Sequence, residues 1–144
     1  MERKPQNLQN HAKLDPAFHF FLAPVGLLLL IAAIYNLARH LDASAAAHLV
    51  AAIWAIVALF KIRLYSLKVQ DRVIRLEERL RLERLLPPAL SGRATELSEG
   101  QLIAIRFASD AEVPALVEKC LSDNLEPKAI KESISNWRPD YWRV

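Results

Sequence analysis

The chain has 144 residues; 53% are hydrophobic, 24% are charged and one is a cysteine. A lone Cys120 excludes a disulfide framework and any four-thiolate zinc site built from one chain. The formal charge of +3, from 19 basic and 16 acidic residues, is too small for a nucleic-acid footprint, so no nucleic-acid partner is expected.

High apolar content beside an ordinary charge count requires segregation along the chain. Residues 1–17 form a polar segment carrying Arg3, Lys4 and Lys13. From Phe18 to Ala38 the sequence FHFFLAPVGLLLLIAAIYNLA holds no formal charge. At about 1.5 Å per residue it covers roughly 30 Å, the thickness of a bilayer's hydrocarbon core. A second uncharged run, SAAAHLVAAIWAIVALF, occupies residues 44–60, and Lys61 and Arg63 follow on stems long enough to snorkel. Only residues 39–43 separate the runs, so the two are expected to form an antiparallel transmembrane hairpin. Ala43-Ser44-Ala45 fits a signal-peptidase pattern, but the run before it is too long for an h-region, and Arg39 and Asp42 intervene.

Orientation follows from the basic residues. The outer loop has Arg39 alone, whereas Lys61, Arg63, Lys68, Arg72, Arg75 and Arg79 crowd behind the second run. The positive-inside rule places both termini in the cytoplasm and the loop outside. Phe18, Phe20 and Phe21 then lie near the inner interface and Tyr35 near the outer one.

Residues 61–86 contain neither Gly nor Pro and are rich in Leu, Arg and Glu. Nothing ends the second helix at the interface, so it is expected to continue as a cytoplasmic stalk to Pro87-Pro88. Asp71–Arg75 and Glu77–Arg81 are acid-before-base pairs at i,i+4. Val69, Val73, Leu76 and Leu80, with Ile62 before them, follow coiled-coil spacing. That stripe needs a cover: either the C-terminal residues folded back, or another copy or partner.

Residues 87–144 are expected to form a small helical cap with an aromatic tail, with three short helices over residues 89–144. Ser98-Glu99 starts the first, which carries Leu102, Ile103 and Phe107. Asp110 is expected to cap the second, whose Val113, Leu116, Val117, Cys120 and Leu121 share a face. Pro127 opens the third, with Ile130, Ile134 and Trp137 on one side. Residues 61–86 carry 8 basic and 4 acidic groups and residues 87–144 carry 7 and 9, so the cap suits a basic helix. Trp137, Tyr141 and Trp142 crowd the C-terminal end and form a candidate interaction tail, either docked on the same chain or presented to headgroups or a partner.

Small residues let helices approach closely in lipid. Ala47, Ala51, Ala55 and Ala58 form such a face on the second helix, with Gly26 as a looser counterpart on the first. Packing within one hairpin or between protomers would use it.

No catalytic, cofactor or metal site is expected. His11, His19, His40 and His48 lack a supporting set of ligands, although His48, deepest in the expected bilayer, is the one best placed for a function. Gly26, Gly92 and Gly100 match neither nucleotide fingerprint, and no nucleophile elbow or zinc-protease helix is present. Cys120 reads as a small core residue.

The strings VQDRVIRLEERLRLERLLP (Val69–Pro87), LIAIRFASDAEVPALVEKCL (Leu102–Leu121) and NHAKLDPAFHF (Asn10–Phe20) resemble a group of small two-span bacterial membrane proteins classed as a domain of unknown function. The resemblance covers nearly the whole chain and implies two spans; it implies no activity. The expectation is an all-α, non-enzymatic membrane protein acting as an oligomerising scaffold or accessory subunit. Its partners would be the lipid bilayer and a further copy or another membrane protein. A homo-oligomeric pore is the alternative, and a membrane enzyme or haem- or metal-binding protein the third reading.

Overall fold

The computed structural model describes residues 5–11 and 14–141. Among them every regular element is helical, apart from one antiparallel bridge between Ala108 and Trp137. The chain divides into two compact units: a hairpin over residues 14–68, and a cap unit in which residues 69–141 are joined by the N-terminal segment.

In the hairpin, Asp15 starts the first helix. Its Oδ1 accepts the backbone N–H groups of Ala17 and Phe18 at 3.1 and 3.3 Å, and Pro16 follows where a missing donor costs nothing. A π-helical turn at Phe18–Leu22 leads into α1, Ala23–Arg39. The wide turn has a local cause. Pro24 would otherwise press its ring on the carbonyl one turn back, and widening the helix ahead of it relieves that contact. Asp42 begins α2, Ala43–Leu85, by accepting the Ala45 N–H at 2.8 Å and the Ser44 hydroxyl at 2.9 Å. Those two hydrogen bonds, the Ala45 backbone one foremost, hold its carboxyl below the usual range. At the other end of the hairpin Arg63 pairs with Asp15 at 3.5 Å and lies over the Phe18 ring, which meets Phe60 edge to face.

Helix α2 is unbroken for 43 residues, about 65 Å at 1.5 Å per residue. It ends where expected, with Pro87 extended (ψ 155°) and α3, Pro88–Ser91, starting anew. The cap then comprises a 3-10 turn at Ala94–Glu96, α4 (Glu99–Ile105), α5 (Val113–Asp123) and α6 (Pro127–Glu132). Ser98 and Gln101 form a reciprocal capping box at the start of α4. Asn124, left-handed at φ 48°, terminates α5. Leu82, Leu102, Ile105, Phe107, Val113, Val117, Cys120 and Ile130 are fully buried together. The cap core thus borrows Leu82 from α2 and Leu86 just past its end, as a unit this small must.

Two expectations about the cap are corrected. Asp110 does not cap α5: Glu112 holds the N-cap position, and the Asp110 carboxylate is taken by Arg81. Trp137 does not extend the face of the third helix, because α6 stops at Glu132. The chain instead runs extended past α4, with Ser109 N–H donating to Asn136 O at 3.0 Å and Arg138 N–H to Phe107 O at 2.7 Å.

Two glycines test the cap's packing. A methyl group at Gly100 would lie 2.9 Å from the Pro127 ring, whereas at Gly92 it would meet nothing within 4 Å. Gly100→Ala should therefore destabilise the cap by about 1–3 kcal/mol through overpacking. Gly92→Ala should stabilise it by about 0.4–1 kcal/mol, since the backbone there is already right-handed helical (φ −62°). Thermal melting of both variants in mild detergent checks the two signs.

Candidate functional site

The cap unit is held by a cluster of charges on one side of α2. Arg81 is buried (side chain 5% exposed) beside Glu78 (4%). Its guanidinium donates to Glu78 Oε2 at 3.0 Å, to Asp110 Oδ1 at 2.8 Å through Nε, and to the Ala108 carbonyl at 2.7 Å. Arg138 reaches the other Glu78 oxygen at 3.2 Å, and Arg75 pairs with Glu99. The i,i+4 pairings read from the sequence thus give way to Glu78, three residues before Arg81, and to the tertiary partners Asp110 and Glu99. The Arg81 hydrogen bond, and secondarily its charge, pulls the Asp110 carboxyl below its usual range. Burial pushes Glu112 up, but hydrogen bonds from Asn136, Ser109 and Ser135 outweigh it and leave the carboxyl lowered.

The opposite side of α2 is open. Val69, Val73, Leu76 and Leu80 are 62%, 49%, 60% and 52% exposed, whereas Ile74, Glu78, Arg81 and Leu82 under the cap are buried. The folded-back C-terminal residues therefore cover the face away from the heptad stripe. Full burial of a Val or Leu side chain is worth about 1.5–3 kcal/mol, so four left half in water are a standing incentive for association.

In the hairpin, the buried and half-buried positions of α2 are Ala45, Leu49, Ala52, Ile56, Ala58, Leu59, Arg63 and Leu67. Of the small residues singled out from sequence, Ala47, Ala51 and Ala55 are exposed and Ala58 is half-buried. A Cβ on Gly26 would lie 3.5 Å from Ile56, ordinary contact, so this glycine does not enforce a closer approach. Ala51 and Ala55 instead border an open groove of about 490 Å³, with Leu29 and Ala33 across it and Asn36 and His48 at its polar end.

The tail folds onto its own chain as far as it is described. Trp137 lies 5.2 Å from Phe107 and 5.7 Å from His11, centroid to centroid; the Gln6 side-chain amide donates to Asp140 O at 3.1 Å and accepts from the Asp140 N–H at 2.7 Å, and the Asp140 carboxylate pairs with Arg106 at 3.1 Å. Tyr141 is half-buried; Trp142 lies outside the described residues. This strap of N-terminal segment against the cap carried no periodic signal in the sequence. Burial raises the Cys120 thiol to about 11, so it is held protonated at neutral pH. No group of three His, Cys, Asp or Glu able to hold a metal comes together among the described residues.

The architecture defines the class: an all-helical protein with two helices long and apolar enough to cross a membrane, the second carrying a small helical cap. The whole chain, residues 1–144, matches the family of unknown function DUF6526, and it belongs to that family. No curated protein matches it, and no solved structure does.

Removing one member of a buried ion pair strands the other, at a cost of about 3–5 kcal/mol. Arg81→Met should therefore lower cap stability by about 3 kcal/mol in chemical denaturation, and Arg81→Lys should recover little of it, because an ammonium cannot fork to three acceptors. The lowered Asp110 contributes stability that is full above its ordinary value of 3.8 and lost as pH falls through its folded value. Acid titration of the melting temperature should show that loss, and Asp110→Asn should shrink it. In the hairpin, Ala52→Leu at the packed face should cost about 1–3 kcal/mol, whereas Ala51→Leu and Ala55→Leu in the groove should leave hairpin stability within about 0.5 kcal/mol.

Proposed function

We propose that this chain is a non-enzymatic integral protein of the bacterial inner membrane that holds a cytoplasmic helical cap at the bilayer as a scaffold or accessory subunit. The observation that carries the reading is the outward-facing apolar surface. In each long helix only 6% of the most apolar eighteen residues is buried within the chain, which is the opposite of a core helix in a water-soluble fold. Leu28, Ile31, Val50, Trp54 and Val57 are all half or more exposed, with no charge between residues 18 and 38 or 44 and 60.

The charges support one orientation. Arg39 stands alone in the tight loop, while eight basic groups lie in residues 61–86. Both termini are thus assigned to the cytoplasm. The polar groups of the hairpin groove, Asn36 and His48, sit at one end of it, so no polar stripe runs the length needed for a pore. The cap offers a folded surface held by buried ion pairs, which suits recruitment.

Reporter fusions check the assignment. Fusion at residue 42 should give periplasmic activity and fusion at residue 144 cytoplasmic activity. The reverse pattern contradicts the orientation, and recovery of the untagged protein in the soluble fraction contradicts the membrane reading itself.

A further inference from the structure

We propose that the stripe Val69, Val73, Leu76 and Leu80 is covered by the same stripe of a second copy, in a parallel, in-register, two-stranded coiled coil. The chain's own cap cannot serve, because it is committed to the other side of the helix through Ile74, Glu78 and Leu82. The spacing of four, three and four residues places Val73 and Leu80 at the a positions and Val69 and Leu76 at the d positions of a heptad. The central pair, β-branched Val73 at a and Leu76 at d, is the combination that favours two strands, while the outer pair, Val69 at d and Leu80 at a, is its reverse.

The charges flanking the stripe select the direction. Arg72 is at g and Glu77 at the following e, so a parallel pair brings each Arg72 against Glu77 of the other copy, twice by symmetry. An antiparallel pair would instead set Arg72 against Arg79, twice. Beyond Leu80 the parallel arrangement runs out: Glu83 takes the next seam position and Arg79 comes opposite Arg84. The contact is therefore confined to residues 69–80.

Fewer than two heptads associate weakly in free solution. Here the proposal rests on the membrane reading above. Two copies inserted alike in one bilayer present their stalks on the same side, at the same depth and pointing the same way. Confinement then supplies the parallel register and raises the effective concentration.

The test uses the full chain in its native membranes, with Cys120→Ala removing the endogenous thiol. Single cysteines are placed by Val69→Cys, Leu76→Cys and, on the flank of the same helix, Lys68→Cys, and disulfide formation is driven by a mild oxidant. Both seam cysteines should give a dimer band at least fivefold above the Lys68 control. Adding Arg72→Glu to the Leu76→Cys chain should reduce that band severalfold, and Glu77→Arg on top should restore it. All these positions except Cys120 are exposed, and Cys120→Ser offers a second background should the alanine variant misfold. Cross-linking at only one seam position, equal cross-linking at Lys68, an adduct with a different protein, or indifference to Arg72→Glu would each overturn the proposal. Failure of the membrane reading is read separately, as soluble protein before any oxidant is added.

Discussion

The structure depends on one constraint: two adjacent helices direct uncharged, apolar side chains away from the chain. A helix satisfies its own backbone hydrogen bonds, so helices this long and apolar are able to cross a membrane. The polar groups of the hairpin are gathered at its ends. Asp42 closes the short loop by capping α2, and Asp15 caps the first helix while holding Arg63 against Phe18. Those two acids settle orphan N–H groups where the helices begin, and nothing charged is needed between them.

The charged part of α2 obeys a different rule. One side of it is buried under the cap, and there the chain accepts a buried arginine because Glu78, Asp110 and the Ala108 carbonyl share its donors. A buried ion pair of this kind adds little net stability, and its two members lie on the side of the helix that the cap occupies. Aliphatic side chains alone would not discriminate, since Val73 and Leu76 are as apolar as Ile74 and Leu82. Arg81 and Glu78 add charge partners on the covered side, and the second apolar stripe is left exposed on the chain.

Much of this was legible in the residues. The two uncharged runs, the unbroken helix up to Pro87-Pro88 and the helix starts at Ser98 and Pro127 all follow from local chemistry. The π-helical turn has its signal in Pro24, an imino acid set inside a helical pattern. What periodicity could not supply was the partner of each face. Arg81 has Glu77 four residues before it, yet pairs with Glu78 and with Asp110, twenty-nine residues on, because burial of that side depends on where the cap lands. Likewise the spacing of Ala47, Ala51 and Ala55 marks a smooth face without saying which neighbour meets it, and the hairpin packs through Ala45 and Ala52 instead. The strap from Gln6 to Asp140 joins chain segments 134 residues apart, beyond any local signal.

The account turns on the solvent of the outward-facing helices, and Trp54 reports on it directly. It is 73% exposed in the chain and sits within the second apolar run. In a Trp137→Phe, Trp142→Phe chain it is the sole tryptophan of the three. Reconstituted into vesicles, its emission should be blue-shifted, quenched by lipids brominated on their acyl chains, and unaffected by iodide in the water. Red-shifted emission quenched by iodide and indifferent to brominated lipid would place that face in water and contradict the account.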